Sequence, residues 1–88
     1  MIIQKFVFSH STLSTFNLPP DAPILTVQLQ DDDIVLWALI DKRKKRVSRH
    51  FVLIYDDMET IENEDDLIYL NTVQNRRTTY HIFELVEN

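Results

Sequence analysis

Apolar and polar residues alternate with a period of two along most of this chain, the spacing that turns one face of a β-strand inward and the other to water. Residues 2–8 place Ile2, Phe6 and Phe8 on one face and Lys5 and Val7 on the other. Residues 13–18 carry Phe16 and Leu18 as an inward pair, and residues 24–30 direct Leu25, Val27 and Leu29 inward with Thr26, Gln28 and Gln30 outward. Residues 34–40 are apolar on both faces, with Leu36, Ala38 and Ile40 on one side and Val35, Trp37 and Leu39 on the other, which predicts the central strand. Trp37, flanked by Val35 and Leu39, is expected in the core rather than as an exposed anchor. Alternation resumes over residues 47–55, 67–73 and 78–86, where Tyr80 and Ile82 oppose His81, Phe83 and Leu85.

The breaks between these runs define the turns. Pro19, Pro20 and Pro23 exclude a helix before the third run, and Asp31, Asp32 and Asp33 separate it from the fourth as a tight hairpin. Only segment 57–66 invites a helix, through Met58 and Ile61 three apart behind Asp56 and Asp57 as caps; a structured acidic loop is the alternative. The pattern therefore predicts an all-β or β-rich α+β domain. Six to seven short, mainly antiparallel strands form a meander that closes into a small sandwich or partly open barrel, with at most one short helix near 57–66.

Composition narrows the chemistry. Eighty-eight residues with 44% hydrophobic content are enough for one compact domain, residues 1–88, and no linker or repeat divides it. The chain holds no cysteine, which excludes disulfides and thiolate metal sites, and no glycine, which excludes P-loop and GxGxxG phosphate-binding turns. Without glycine, positive φ angles fall to Asp and Asn, and Asp31 to Asp33, Asp56, Asp57, Asn63 and Asn75 stand where turns are needed. The opening residues do not read as a signal peptide and no run approaches a membrane span, so a soluble intracellular protein without membrane or cofactor is expected.

Charge is segregated beneath a net value of −5. Lys42, Arg43, Lys44, Lys45, Arg46 and Arg49 supply six of the nine cations, and Asp56, Asp57, Glu59, Glu62, Glu64, Asp65 and Asp66 supply seven of the fourteen anions. Residues 47–55 separate the groups by one strand of roughly 30 Å, which predicts two opposed patches. The basic loop reads in three ways: a solvated turn, a protein-docking patch, or a nucleic-acid contact allied with Arg76 and Arg77. Acidity overall and the inward placement of most aromatics stand against RNA or DNA. The acidic run lacks an EF-hand pattern and is too local to imitate a duplex.

Catalytic signals are weak. His81 and Glu84, three apart on a strand, point to opposite faces, so they cannot share a metal. Ser48 and His50 share a face, as a nucleophile and base would, but a cross-strand or surface role is the more ordinary meaning of such a pair. No catalytic or metal-binding residue is assigned, and no enzyme is expected.

Leu18, Pro19, Ala22, Ile24, Leu25, Val27, Gln28 and Gln30, the run Leu36-Trp37-Ala38-Leu39-Ile40-Asp41, then Arg49, Phe51 and His81-Ile82-Phe83-Glu84 form a pattern that resembles an uncharacterised family of small proteins encoded mainly by bacteriophages and prophages. Those relatives carry a glycine-containing turn after the Arg-x-Phe strand, where this chain has Tyr55-Asp56-Asp57-Met58. The resemblance implies an accessory protein in the cytoplasm of an infected bacterium. A non-enzymatic binder that inhibits or modulates a host macromolecule, such as an antiviral defence component, is the expected function. RNA or DNA contact through the turns at 42–49 and 76–77, a nucleotide-sequestering oligomer and a virion-assembly component are the alternatives. The strands at 2–8 and 78–86 are long enough to pair with a second copy, so a homodimer or higher homo-oligomer is expected.

Overall fold

The structure, a computed structural model, describes residues 1–60 and 62–86. Seven strands form, β1 (Ile2–Val7), β2 (Leu13–Leu18), β3 (Ile24–Gln30), β4 (Asp33–Ile40), β5 (Val47–Tyr55), β6 (Leu67–Asn75) and β7 (Thr78–Leu85). The sole helical element among the described residues is a 3₁₀ turn, Glu64–Asp66, capped where the Asn63 side chain accepts a hydrogen bond from the Asp65 N–H. Ile61, half of the apolar pair behind an expected helix, lies outside the described residues.

The strands divide into two antiparallel sheets, one in the order β1-β4-β3 and one in the order β2-β5-β7-β6. They face each other across one core, in a slab whose Cα extents are 41 × 33 × 17 Å. Phe6 and Phe8 from the first layer meet Phe16 and Phe51 from the second, with ring centroids 5.2–6.1 Å apart. Such tilted and edge-on contacts stabilise beyond the area they bury. Val27, Leu36, Ala38, Ile40, Leu18 and Ile82 complete a core with little or no exposure.

Chain order is more interleaved than a simple meander. Only β3–β4 and β6–β7 are neighbours joined by tight turns, and residues 56–66 carry the chain from β5 past β7 to β6, which runs parallel to β5. The two open sides are closed by side chains. On one, Arg46 donates to the Asn17 carbonyl of β2 at 3.1 Å and to Gln4 Oε1 of β1 at 2.9 Å; on the other, Asn71 of β6 donates to the Val27 carbonyl of β3.

Four expectations change. A β-bulge between Ile24 and Thr26 turns Ile24 to the core and leaves Leu25 48% exposed, because one extra residue reverses the facing of those around it. β4 is central, but Trp37 is half-buried and lies outside the core cluster, on the face of β4 that it shares with the buried Val35. β7 is paired on both sides, by β5 and β6, and cannot add a strand from a second copy. The positive φ angles fall on Asp31 (56°), Asp57 (64°) and Arg76 (58°). The last replaces the expected Asn75 because Asn75 pairs with Thr78 and the two-residue turn between them needs φ > 0 at its first position.

Leu36→Ala is expected to lower unfolding stability by about 2–5 kcal/mol and Leu25→Ala by less than about 0.5 kcal/mol in chemical denaturation. Equal losses would show that Leu25 packs inward and that the bulge is absent.

Candidate partner-binding surface

Residues 42–46 join β4 to β5 and project from one end of the slab, with all five side chains exposed. The loop is built on Asp41. Its Oδ1 accepts from the Arg43 N–H at 3.0 Å and from Arg43 Nε at 3.1 Å, its Oδ2 accepts from Arg43 Nη2 at 3.0 Å, and its carbonyl accepts from the Lys44 N–H at 3.1 Å. The hydrogen bonds from Arg43, before any longer-range attraction, hold the Asp41 carboxyl down from 3.8 to about 2. Lys44 pairs with Asp21, which is lowered in turn by that hydrogen bond. Lys42 and Lys45 have no partner among the described residues.

Arg49 does not belong to this tip. It points into the sandwich, where its side chain is 12% exposed against 15% for Glu84. Nε and Nη2 donate to the two Glu84 oxygens at 2.7 and 2.8 Å, and Nη1 donates to the carbonyls of Pro19 at 3.0 Å and Ala22 at 2.9 Å. Every arm of the guanidinium is committed to holding the Pro19–Ala22 turn against β5 and β7. Arg76 and Arg77 lie at the other end of the slab, beside Tyr55, and Arg76 is 3.7 Å from Asp32. They cannot form one continuous surface with residues 42–46.

The acidic segment is likewise divided. Asp56 and Asp57 leave β5 at its Tyr55 end, but Leu67 re-enters the sheet opposite Leu85, which pairs with His50, and the Val86 N–H donates to the Asp66 carbonyl at 2.7 Å. Glu64, Asp65 and Asp66 therefore return toward the basic end, leaving Glu59 and Glu62 on the way. The expectation that the whole run lies a strand's length from the basic loop fails, because β6 is parallel to β5 and must be started from the same end.

On the outer face of the four-stranded sheet, His81 Nε2 lies 2.7 Å from Asp56 Oδ1 and its Nδ1 lies 3.0 Å from Thr72 Oγ1, while Tyr69 Oη is 2.6 Å from the same Thr72 oxygen. Glu84 faces the opposite way, as the strand period requires. Ser48 and His50 turn to β2 neighbours, Asn17 and Thr15. The described residues contain no group of three or more His, Asp or Glu placed to hold a metal.

Sequence reasoning missed two features. Asp21 and Asp41 offset part of the basic loop; Asp41 adjoins it in sequence, whereas Asp21 arrives only through folding. An open cleft of about 210 Å³ lies at the Tyr55 end, floored by Phe8, Ile34 and Leu53 and rimmed by Ser9, His10, Asp33 and Tyr80. It is assembled from the β1–β2 and β3–β4 connections together with residues of β4, β5, β6 and β7, and has no local signature.

The family model described as Domain of unknown function (DUF7352) matches residues 1–88. No curated protein and no solved structure matches the chain.

Arg49→Ala is expected to destabilise by roughly 3 kcal/mol, because Glu84 and the Ala22 carbonyl lose this donor together and the Pro19 carbonyl keeps only the Ala22 N–H, and Arg49→Lys to recover only part of that. A denaturation midpoint unchanged by Arg49→Ala would remove its structural role. Asp41 contributes stability that is present in full above pH 4 and is lost as pH falls through about 2. Asp41→Asn should flatten the acid-unfolding curve within that window and leave it unchanged near neutrality in shape, which thermal melts across pH 2–5 would read.

Proposed function

The chain belongs to the DUF7352 family, a domain of unknown function, and we propose that it is a non-enzymatic binding protein whose cationic tip docks on an acidic surface of a macromolecular partner. The observation that carries this reading is the pair Lys42 and Lys45, exposed and without partners among the described residues, on a loop whose neighbouring charges are tied down by Asp41 and Asp21. A loop ordered before binding loses less conformational freedom on docking. Charges left at its apex steer approach and set orientation.

The setting is that of an accessory protein of a bacteriophage or prophage, acting in the host cytoplasm to inhibit or modulate a host macromolecule, such as a component of antiviral defence. A protein partner is favoured over RNA or DNA. The separation of Arg76 and Arg77 from the tip leaves a single short positive loop, while nucleic-acid binders spread phosphate contacts along a groove or stripe. Sequestration of a nucleotide is a weaker reading, since the cleft at the far end is rimmed by Asp33 and Asp32, which repel phosphate.

The test is affinity capture from infected bacteria at about 50 and 500 mM salt, where screening separates charge-steered binding from apolar binding. One protein should be recovered at low salt and lost at high salt, and the double substitution Lys42→Glu and Lys45→Glu should reduce its recovery at least about tenfold without changing the thermal midpoint. Recovery that ignores both salt and the substitutions would overturn the reading, and recovery abolished by nuclease would replace it with nucleic-acid binding.

A further inference from the structure

The cleft at the Tyr55 end draws on both sheets and opens at the far end of the slab from the cationic tip. Its floor is Phe8, Ile34 and Leu53, all buried members of the core cluster. Its walls are Tyr55 and Tyr80, directly opposed on β5 and β7, one residue pair beyond Leu53 and Ile82 on the same inward face. Neither phenol has a hydrogen-bond partner among the described residues. Apolar floor, aromatic walls and unengaged hydroxyls thus converge on one opening, the combination of a small-ligand site.

Size and charge define what it accepts. A dry cavity of about 150 Å³ holds one benzene ring. The cleft, at about 210 Å³, takes a six-membered ring with a short substituent. Asp31, Asp32, Asp33, Asp56 and Asp57 stand at this end against only Arg76 and Arg77, with Asp56 held by His81 on the outer face. Asp32 is the carboxylate at the mouth. Arg76 lies 3.7 Å from it, but the two side chains are 81% and 74% exposed. A surface pair of that kind contributes little, so the Asp32 carboxylate can still accept from an ammonium. The ring faces of the tyrosines carry negative potential and favour a cation at the same opening. The carboxylate excess that repels phosphate therefore selects a positive group above an apolar floor.

We propose that this cleft binds a free small-molecule amine made of one aromatic ring and a short alkyl arm. The ring is seated on Phe8, Ile34 and Leu53 between Tyr55 and Tyr80, and the ammonium meets the Asp32 carboxylate. The site is independent of docking by the cationic tip, and either can fail without the other.

Phenethylamine is the probe, and phenethyl alcohol and phenylacetate carry the same ring with a neutral and a negative arm. Calorimetric titration of the full chain near neutral pH is expected to give saturable binding of the amine with a Kd of about 1 mM or below, about tenfold weaker binding of the alcohol, and no measurable binding of phenylacetate. Nuclear magnetic resonance should show Ile34 and Leu53 signals moving with added amine and those of residues 42–46 staying in place. Asp32→Asn should weaken the amine about fivefold and leave the alcohol unchanged, whereas Tyr55→Ala should weaken both at least about threefold with far-UV circular dichroism retained. Lys42→Glu with Lys45→Glu should alter neither. Equal binding of the three compounds, no saturation by about 10 mM amine, indifference of the amine to Asp32→Asn, or shifts confined to residues outside the cleft would overturn the proposal.

Discussion

The bidentate ion pair between Arg49 and Glu84 is the constraint on which the rest of this fold depends. It joins adjacent strands β5 and β7 on the inward face, and the remaining guanidinium nitrogen reaches across to the Pro19 and Ala22 carbonyls, fixing the turn through which the chain leaves the four-stranded sheet for the three-stranded one. A turn carrying three prolines in five positions has few N–H groups of its own: the Ala22 N–H serves the Pro19 carbonyl at 3.1 Å, and Arg49 adds a second donor there and serves the Ala22 carbonyl. Arg49 also lies 6.0 Å from the centre of the Phe51 ring, at the edge of the aromatic cluster. Polar order and apolar packing meet at this residue.

Most of the strands were legible because their alternation has period two and their boundaries carry proline or acidic residues. Where the reading failed, tertiary structure overrode a local rule. Leu25 obeys the alternation in sequence, yet a bulge of one residue moves it to the surface. Trp37 sits in the most apolar run of the chain, which pointed to the core, yet it is half-buried and lies outside the core cluster. Arg49 looked like the last member of a basic run, since nothing local reveals that Glu84, thirty-five residues on, receives it. The cationic loop itself was readable as a run of basic residues between two strands, whereas its partial neutralisation by Asp21 arises only through folding.

Charge in this molecule is organised by topology more than by composition. The hairpin turn at Asp31–Asp33 and the exit of β5 gather carboxylates at one end, with Arg76 offsetting part of them, while residues 42–46 gather cations at the other. The parallel return of β6 spreads the remaining acids along the length of the sheet. Lys42 and Lys45, at the apex of that loop, are cations without a partner among the described residues.

The interleaved strand order has a consequence for how this chain becomes a structure at all. β7, the interior strand of the larger sheet, comes seventh, and it brings with it Glu84 as the counter-ion of Arg49. Any length of chain ending before Thr78 holds β5 and β6 with no strand between them, and leaves a guanidinium and four phenylalanine rings without their finished shelter. Completing the larger sheet therefore waits on pairings between residues far apart in sequence, the kind of contact that slows folding.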